Sequence, residues 1–282
     1  MPLGVEVCYT MLISSRANAH IKRIRRLRDR REREETGLFL AEGLRLALDA
    51  AQMGAQITTL VISPDLLSDQ AKDSIATVRA AAGVHTLEVT PEVFEAISPQ
   101  GVGEGIAVVA RQRWDALSDL RLSEKSLWVA ANEVQHPGSL GTMLRTLDAV
   151  GGEGLIVLGN SADPYDPTAV RASLGAIFTQ RLAKASFADF AAWKRQHGYR
   201  VAGASPSATT DYRAATYHLP LIVLLGGERG GLSPDHQAVC DQMVSIPMLG
   251  RVDSHHVAVA AGVVLYEVVL ALRSSPPARE GG

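Results

Sequence analysis

The stretch Leu221-Ile222-Val223-Leu224-Leu225-Gly226-Gly227-Glu228-Arg229-Gly230-Gly231 decides the fold class. An unbroken apolar run of strand length has no polar face to offer water, so it belongs in a sheet covered on both sides. Glycines directly after it open a turn at the carboxyl end of the strand, where ligands of open α/β sheets bind. The same alternation extends through the second half of the chain. Strands are predicted at 126–132, 154–159, 181–184, 199–204, 221–226 and 243–246, and helices at 139–150, 168–175, 187–197, 233–239 and 255–272. Alternating units of this kind build a mostly parallel, doubly covered α/β sheet.

The first half carries a smaller α/β pattern. Strands are predicted at 38–41, 57–62, 84–89 and 105–110, with helices at 44–53, 65–81 and 91–97 between them. Residues 1–112 thus read as one domain and 125–273 as a second. The polar, aperiodic 113–124 reads as a linker and 274–282 as a flexible tail.

Apolar residues make up 46% of the 282 and charged residues 21%, which excludes a disordered, collagen-like or mucin-like chain. Cys8 and Cys240 are too few for a disulfide framework or a four-cysteine zinc site, and a reducing, cytoplasmic setting follows. No basic-then-apolar leader opens the chain. The apolar run 257–272 is interrupted by Glu267 and falls short of the roughly 18–20 residues that cross a bilayer, so no membrane partner is expected.

The net charge of −2 conceals an asymmetry. Residues 16–33 hold nine Lys/Arg against Asp29 and Glu32, a local +7 that leaves −9 on the remainder. Ile21, Ile24 and Leu27 form an apolar stripe on a short helix whose other sides are basic. A concentrated positive end on an acidic body suits a polyanion, because Lys and Arg neutralise phosphates and release counterions. The alternative is a solvated helix face balanced by Glu34 and Glu35.

Two further turns follow strands of the second half. One is Gln135-His136-Pro137-Gly138-Ser139-Leu140-Gly141-Thr142-Met143-Leu144-Arg145, where small residues ahead of a helix let backbone N–H groups approach a polar ligand. The other runs from Ile246-Pro247-Met248-Leu249-Gly250 to Val252-Asp253-Ser254-His255-His256. No phosphate-loop, dinucleotide or nucleophile-elbow fingerprint is present. Gly101-Val102-Gly103-Glu104-Gly105 precedes its strand and reads as a plain turn. His255 and His256 do not make a metal pair, since adjacent helical residues point about 100° apart.

Together the three turns resemble, in order and spacing, the three motifs of the SpoU/TrmH family of RNA ribose 2′-O-methyltransferases, within the SPOUT superfamily. Asn132 with 136–151 is similar to the first motif, 225–232 to the second, and 245–267 to the third. The stretch 163–178, with Arg171, is also similar, and Phe39-Leu40-Ala41-Glu42-Gly43-Leu44-Arg45 resembles the opening of a ribosomal-protein-like RNA-binding domain.

That resemblance implies an α/β domain tied in a deep trefoil knot, a homodimer paired through it, and S-adenosylmethionine as methyl donor. The adenine would rest on main-chain groups of Gly226, Ile246 and His255, with Leu225, Gly227, Met248 and Leu249 close by. Arg145 would stand near the ribose 2′-hydroxyl. Guanidinium is a poor base, so holding the adjacent phosphate and stabilising developing alkoxide charge is its more conservative role. Glu228 would shape the cofactor loop, with Ser139, Ser254 and His256 in the same network. The partner would be structured RNA, ribosomal in preference to transfer RNA, gripped by Lys22, Arg23, Arg25, Arg26, Arg28, Arg30 and Arg171.

Two positions depart from the family pattern. Ser139 stands where asparagine is usual, and Ser254-His255-His256 replaces Ser-Leu-Asn. His256 admits two readings. Either it titrates near neutral pH and takes the ribose proton, or the site has drifted and the chain binds RNA without methylating it.

Overall fold

The computed structural model describes residues 12–80, 85–99, 101, 103–228 and 230–274. Cys8, Arg229, the first residue of the 84–89 strand and 275–282 of the expected tail lie outside them. The chain forms two compact units. One takes in the described residues up to Gln112 together with Tyr165–Pro167; the other comprises Arg113–Pro164 and the described residues from Thr168 onward.

In the first unit the basic segment is two helices, α1 (Ala19–Arg26) and α2 (Arg30–Thr36). The Asn18 side chain caps α1 by accepting from the His20 N–H, and Gly37 ends α2 at φ 64°, a left-handed conformation that favours glycine. Strands β1 (Leu38–Glu42), β2 (Ile57–Ile62), β3 (His85–Glu88) and β4 (Ile106–Arg111) make a sheet of order β1-β4-β2-β3. β4 runs antiparallel to both β1 and β2, while β2 and β3 are parallel. Helix α3 (Leu44–Gln52) follows β1. The helix expected over 65–81 is shorter: a 3-10 turn at Pro64–Leu66 comes first, and α4 is Asp69–Ala80. Beyond β3, α5 (Pro91–Ile97) completes a core in which Ile21, Ile24 and Leu27 of the basic segment meet Val61, Leu87, Phe94 and Ile97. Each such side chain contributes about 1.5–3 kcal/mol by burial.

The second unit is a seven-stranded, wholly parallel sheet of order β7-β6-β5-β10-β8-β11-β9. Its strands are β5 (Leu127–Asn132), β6 (Gly154–Leu158), β7 (Arg181–Ala185), β8 (Arg200–Ala204), β9 (Thr210–Asp211), β10 (Leu221–Gly226) and β11 (Gln242–Ser245). The helices are α6 (Pro137–Val150), α7 (Pro167–Ala172), α8 (Ala176–Thr179), α9 (Phe187–His197), α10 (Pro234–Ala238) and α11 (Val257–Ser274). The helix expected at 168–175 breaks after Ala172, because Leu174 and Gly175 adopt φ 47° and 94°. Residues 113–124 are not a free connector. Leu117 and Leu120 enter the core with Trp128, Ile156 and Phe190, and Asp115 receives a hydrogen bond from Arg181 at 2.7 Å.

β5 and β10 lie side by side, with Gly226 in register with Asn132. From β5 the order runs out through β6 to β7, and from β10 the other way. Their carboxyl ends therefore flank the point where the strand order reverses, the crevice that ligands of such sheets occupy. Among the described residues no helix is long and apolar enough to cross a membrane.

Candidate active site

At that crevice β10 runs into a loop that folds back on itself, the Gly231 N–H donating to the Gly227 carbonyl at 3.0 Å. A Cβ on Gly227 would collide with the Glu133 carbonyl oxygen, and one on Gly226 with the Gly231 carbonyl. Only bare backbone fits here, because the loop after β10 packs directly on itself and on the turn that leaves β5. Glu133 itself sits at φ 55° in the turn that leaves β5.

A cleft of about 210 Å³ opens beside this loop. Of the residues expected to hold the cofactor, Leu225, Gly226, Gly227, Ile246, Met248 and His255 line it, as do Glu228 and Ser254. Leu249 does not: its side chain is 98% exposed. In this structure Leu249 thus stands apart from the cleft wall. Ala204, Ser205 and Pro206 form a wall that the sequence reading missed. The signal was available, since they leave the carboxyl end of a parallel strand just as the glycine turns do.

Ser139, Glu228 and His256 come together from three segments. Ser139, buried in the first turn of α6, donates to Glu228 Oε1 at 3.3 Å and lies 3.4 Å from His256 Nε2. The Gln135 backbone N–H donates to the other Glu228 oxygen at 3.2 Å. His256 stands just ahead of α11, and its Nδ1 accepts from the Ala258 N–H at 3.3 Å. That bond needs a lone pair on Nδ1, so the neutral ring carries its proton on Nε2. The chain then has one direction: His256 donates to Ser139, and Ser139 donates to Glu228. Both ring nitrogens are engaged within this chain of contacts. Asn132, 2% exposed at the end of β5, faces His236 Nε2 at 3.5 Å.

Arg145 is exposed on α6 and does not line the cleft. Ser254 donates to Asp253 at 3.1 Å. Arg171 is exposed on α7. In the basic segment Lys22, Arg23, Arg25 and Arg26 are exposed. Arg28 is exposed as well, but its guanidinium donates to the Ala96 and Ser98 carbonyls at 3.0 and 2.5 Å and satisfies the orphan end of α5. Arg30 pairs with Glu34 at 3.0 Å. Arg33, which contributed to the +7, is 2% exposed and donates to the Leu27 and Arg28 carbonyls, both at 2.8 Å.

Residues 126–266 match the SpoU rRNA Methylase family, and a relative from Streptomyces viridochromogenes, 23S rRNA (uridine(2479)-2′-O)-methyltransferase, is 32% identical over 86% of both chains. The chain belongs to the SpoU rRNA methylase family. Residues 18–107 match the MRM3-like substrate binding domain. Among solved structures, an AdoMet-bound rRNA methyltransferase from Sinorhizobium meliloti superposes with TM-score 0.85 at 33% identity, covering 93% of this chain and 98% of that one. The SpoU methyltransferase AviRb from Streptomyces viridochromogenes, in complex with AdoMet, gives 0.82 at 29% identity over 92% and 100%. The α/β class expected from the sequence is thus the class found, in this SpoU protein and in its neighbours.

Proposed function

We propose that this SpoU protein transfers a methyl group from S-adenosylmethionine to a ribose 2′-hydroxyl of structured RNA, ribosomal RNA foremost. The observation that carries the reading is the cleft at the switch point, bordered by apolar Leu225, Ile246 and Met248 and by Glu228. These residues fit the donor: the apolar walls suit a flat adenine, main-chain groups of Gly226, Ile246 and His255 suit its polar edge, and a carboxylate suits a sulfonium. S-adenosylmethionine, when bound, supplies an electrophilic methyl group.

The chain's own residues supply alignment and proton management. Glu228, held by the Gln135 N–H and by Ser139, is the acceptor at the end of the hydrogen-bond chain and the group toward which a departing hydroxyl proton is drawn. His256 acts as the donor that orients Ser139. Arg145, solvent-facing on the helix that carries Ser139, anchors the phosphate beside the target ribose. Ser139 and His256 occupy the two departures from the family pattern, yet they join into one network with Glu228, and this favours an active enzyme over a binder that has lost catalysis. Lys22, Arg23, Arg25, Arg26 and Arg171 supply exposed charge for RNA phosphates.

The working form we infer is a cytoplasmic homodimer paired through the second unit. Val259, Tyr266 and Leu270 support this: they are 51%, 51% and 54% exposed and recur on one face of α11 at helical spacing. We infer that the trefoil knot implied by the family resemblance is present here too; Ile246, Met248, Ser254 and His255 lining one cleft with Gly226, Gly227 and Gly231 supports it.

Calorimetric titration of the protein with S-adenosylmethionine tests the reading, followed by tritiated methyl transfer to an unmodified ribosomal RNA transcript. One site per subunit and label in ribose are expected. A folded protein that takes up no donor overturns the assignment.

A further inference from the structure

A second cleft lies wholly within the first unit, and the chemistry above does not use it. It measures about 410 Å³, within the range of small-ligand sites. Ile24, Leu38, Leu87 and Val109 provide its apolar lining, between α1 and the sheet. Arg23 and Arg26, three residues apart on α1, stand at its edge, and Glu32 and Thr59 face it from α2 and β2. None of these four polar side chains has a hydrogen bond or ion pair with another described residue. By contrast Thr36 and Thr58 in the same cleft are spent on backbone carbonyls, of Glu32 and Val109.

We propose that this cleft receives one unpaired guanine of the RNA substrate. The inference rests on the RNA-methyltransferase reading and deepens it. A slot with apolar walls and guanidinium planes at its edge takes a planar ring by burial and stacking. Only a splayed-out nucleotide can present such a ring, because paired bases keep their faces stacked. The polar edge selects the base. A carboxylate has two acceptor oxygens and no donor, and guanine alone among the four RNA bases presents two adjacent donors, N1–H and the 2-amino group, on its Watson–Crick edge. Uracil offers one N–H between two carbonyl oxygens, which repel a carboxylate. Arg23 and Arg26 are also placed to meet the flanking phosphates. Exposed Lys22 and Arg25 add charge without selectivity.

The test uses the full chain and fluorescein-labelled single-stranded nonamers, oligouridine with a central guanosine, inosine or uridine, read by anisotropy. Guanosine should bind about tenfold tighter than uridine, the size of one good bidentate contact. Inosine, which lacks the 2-amino group, should fall between them. Glu32→Gln should bring guanosine and uridine within about twofold of each other while the salt dependence stays as it was. Thr59→Trp, which fills the cleft, should do the same, with unchanged donor affinity as the check on folding. Equal affinity for the three nonamers, or a guanosine preference that survives Glu32→Gln, overturns the proposal. A chain that shows the guanosine preference but takes up no S-adenosylmethionine would retain this site and refute the methyltransferase reading instead.

Discussion

Replacing Ser139 by alanine tests the hydrogen-bond chain directly. The hydroxyl is the shared partner of Glu228 Oε1 and His256 Nε2, at 3.3 and 3.4 Å. Both separations are long for bonds of their type, so each stands at the weak end of the range, about 0.5–1 kcal/mol. Losing both costs roughly 1–2 kcal/mol, or about 5–30-fold in rate if the chain matters in the transition state. Only one buried oxygen is removed, so the fold itself should hardly notice. Initial rates of tritium transfer to a ribosomal RNA transcript, with kcat and the donor KM measured separately, give the readout. A lowered kcat with KM within about twofold is expected. Ser139→Asn supplies the control, since an amide can donate to Glu228 and accept from His256 at once. It should recover most of the rate. An alanine variant with wild-type kcat, or an asparagine variant no better than alanine, refutes the reasoning.

Other expectations follow from the same geometry. Arg33→Ala leaves the Leu27 and Arg28 carbonyls without their charged donor and should cost about 1–3 kcal/mol for each in urea unfolding, whereas exposed Arg25→Ala should stay within about 0.5 kcal/mol. Gly227→Ala drives a methyl into the Glu133 carbonyl and should abolish donor binding by calorimetry while circular dichroism still shows a folded chain. Burial pushes the Cys240 thiol up to about 12 and the Tyr217 hydroxyl likewise. Well below pH 9 both groups are neutral in folded and unfolded chains alike. Between pH 9 and 12 the unfolded chain releases these protons first. The melting temperature should therefore fall above pH 9, and Cys240→Ala should lessen the fall.

What could be read from the sequence was whatever burial writes as a pattern. Leu221–Leu225 and Leu127–Ala131 announce themselves as doubly covered strands because nothing polar interrupts them. The glycine turns declare themselves because Gly226 and Gly227 meet backbone where any Cβ would sit. Patterns failed where position in space decides. Thr210–Asp211 is too short to show a period. Leu174 and Gly175 end a helix by backbone conformation that composition does not show. The nine basic residues of 16–33 look alike as a string, yet Arg28 and Arg33 are committed to carbonyls that only the folded unit brings within reach. Likewise Ser139, Glu228 and His256 could each be suspected singly. Their order as donors and acceptors depended on the Ala258 N–H.

The placement of β5 has a consequence for how the enzyme comes into being. Leu127 pairs with Leu221, and the walls of the donor cleft run from Ala204 to Ala260. β6 follows β5 closely and can pair with one of its edges early, but at about 5–20 residues per second of synthesis the other edge waits roughly 5–20 s for β10 to leave the ribosome. Through that interval the β10-facing edge has no native partner, and the cleft does not exist. A growing or prematurely ended chain can therefore charge itself with nothing. Methyl donor is recruited only by a molecule whose translation has passed the last wall of its own site.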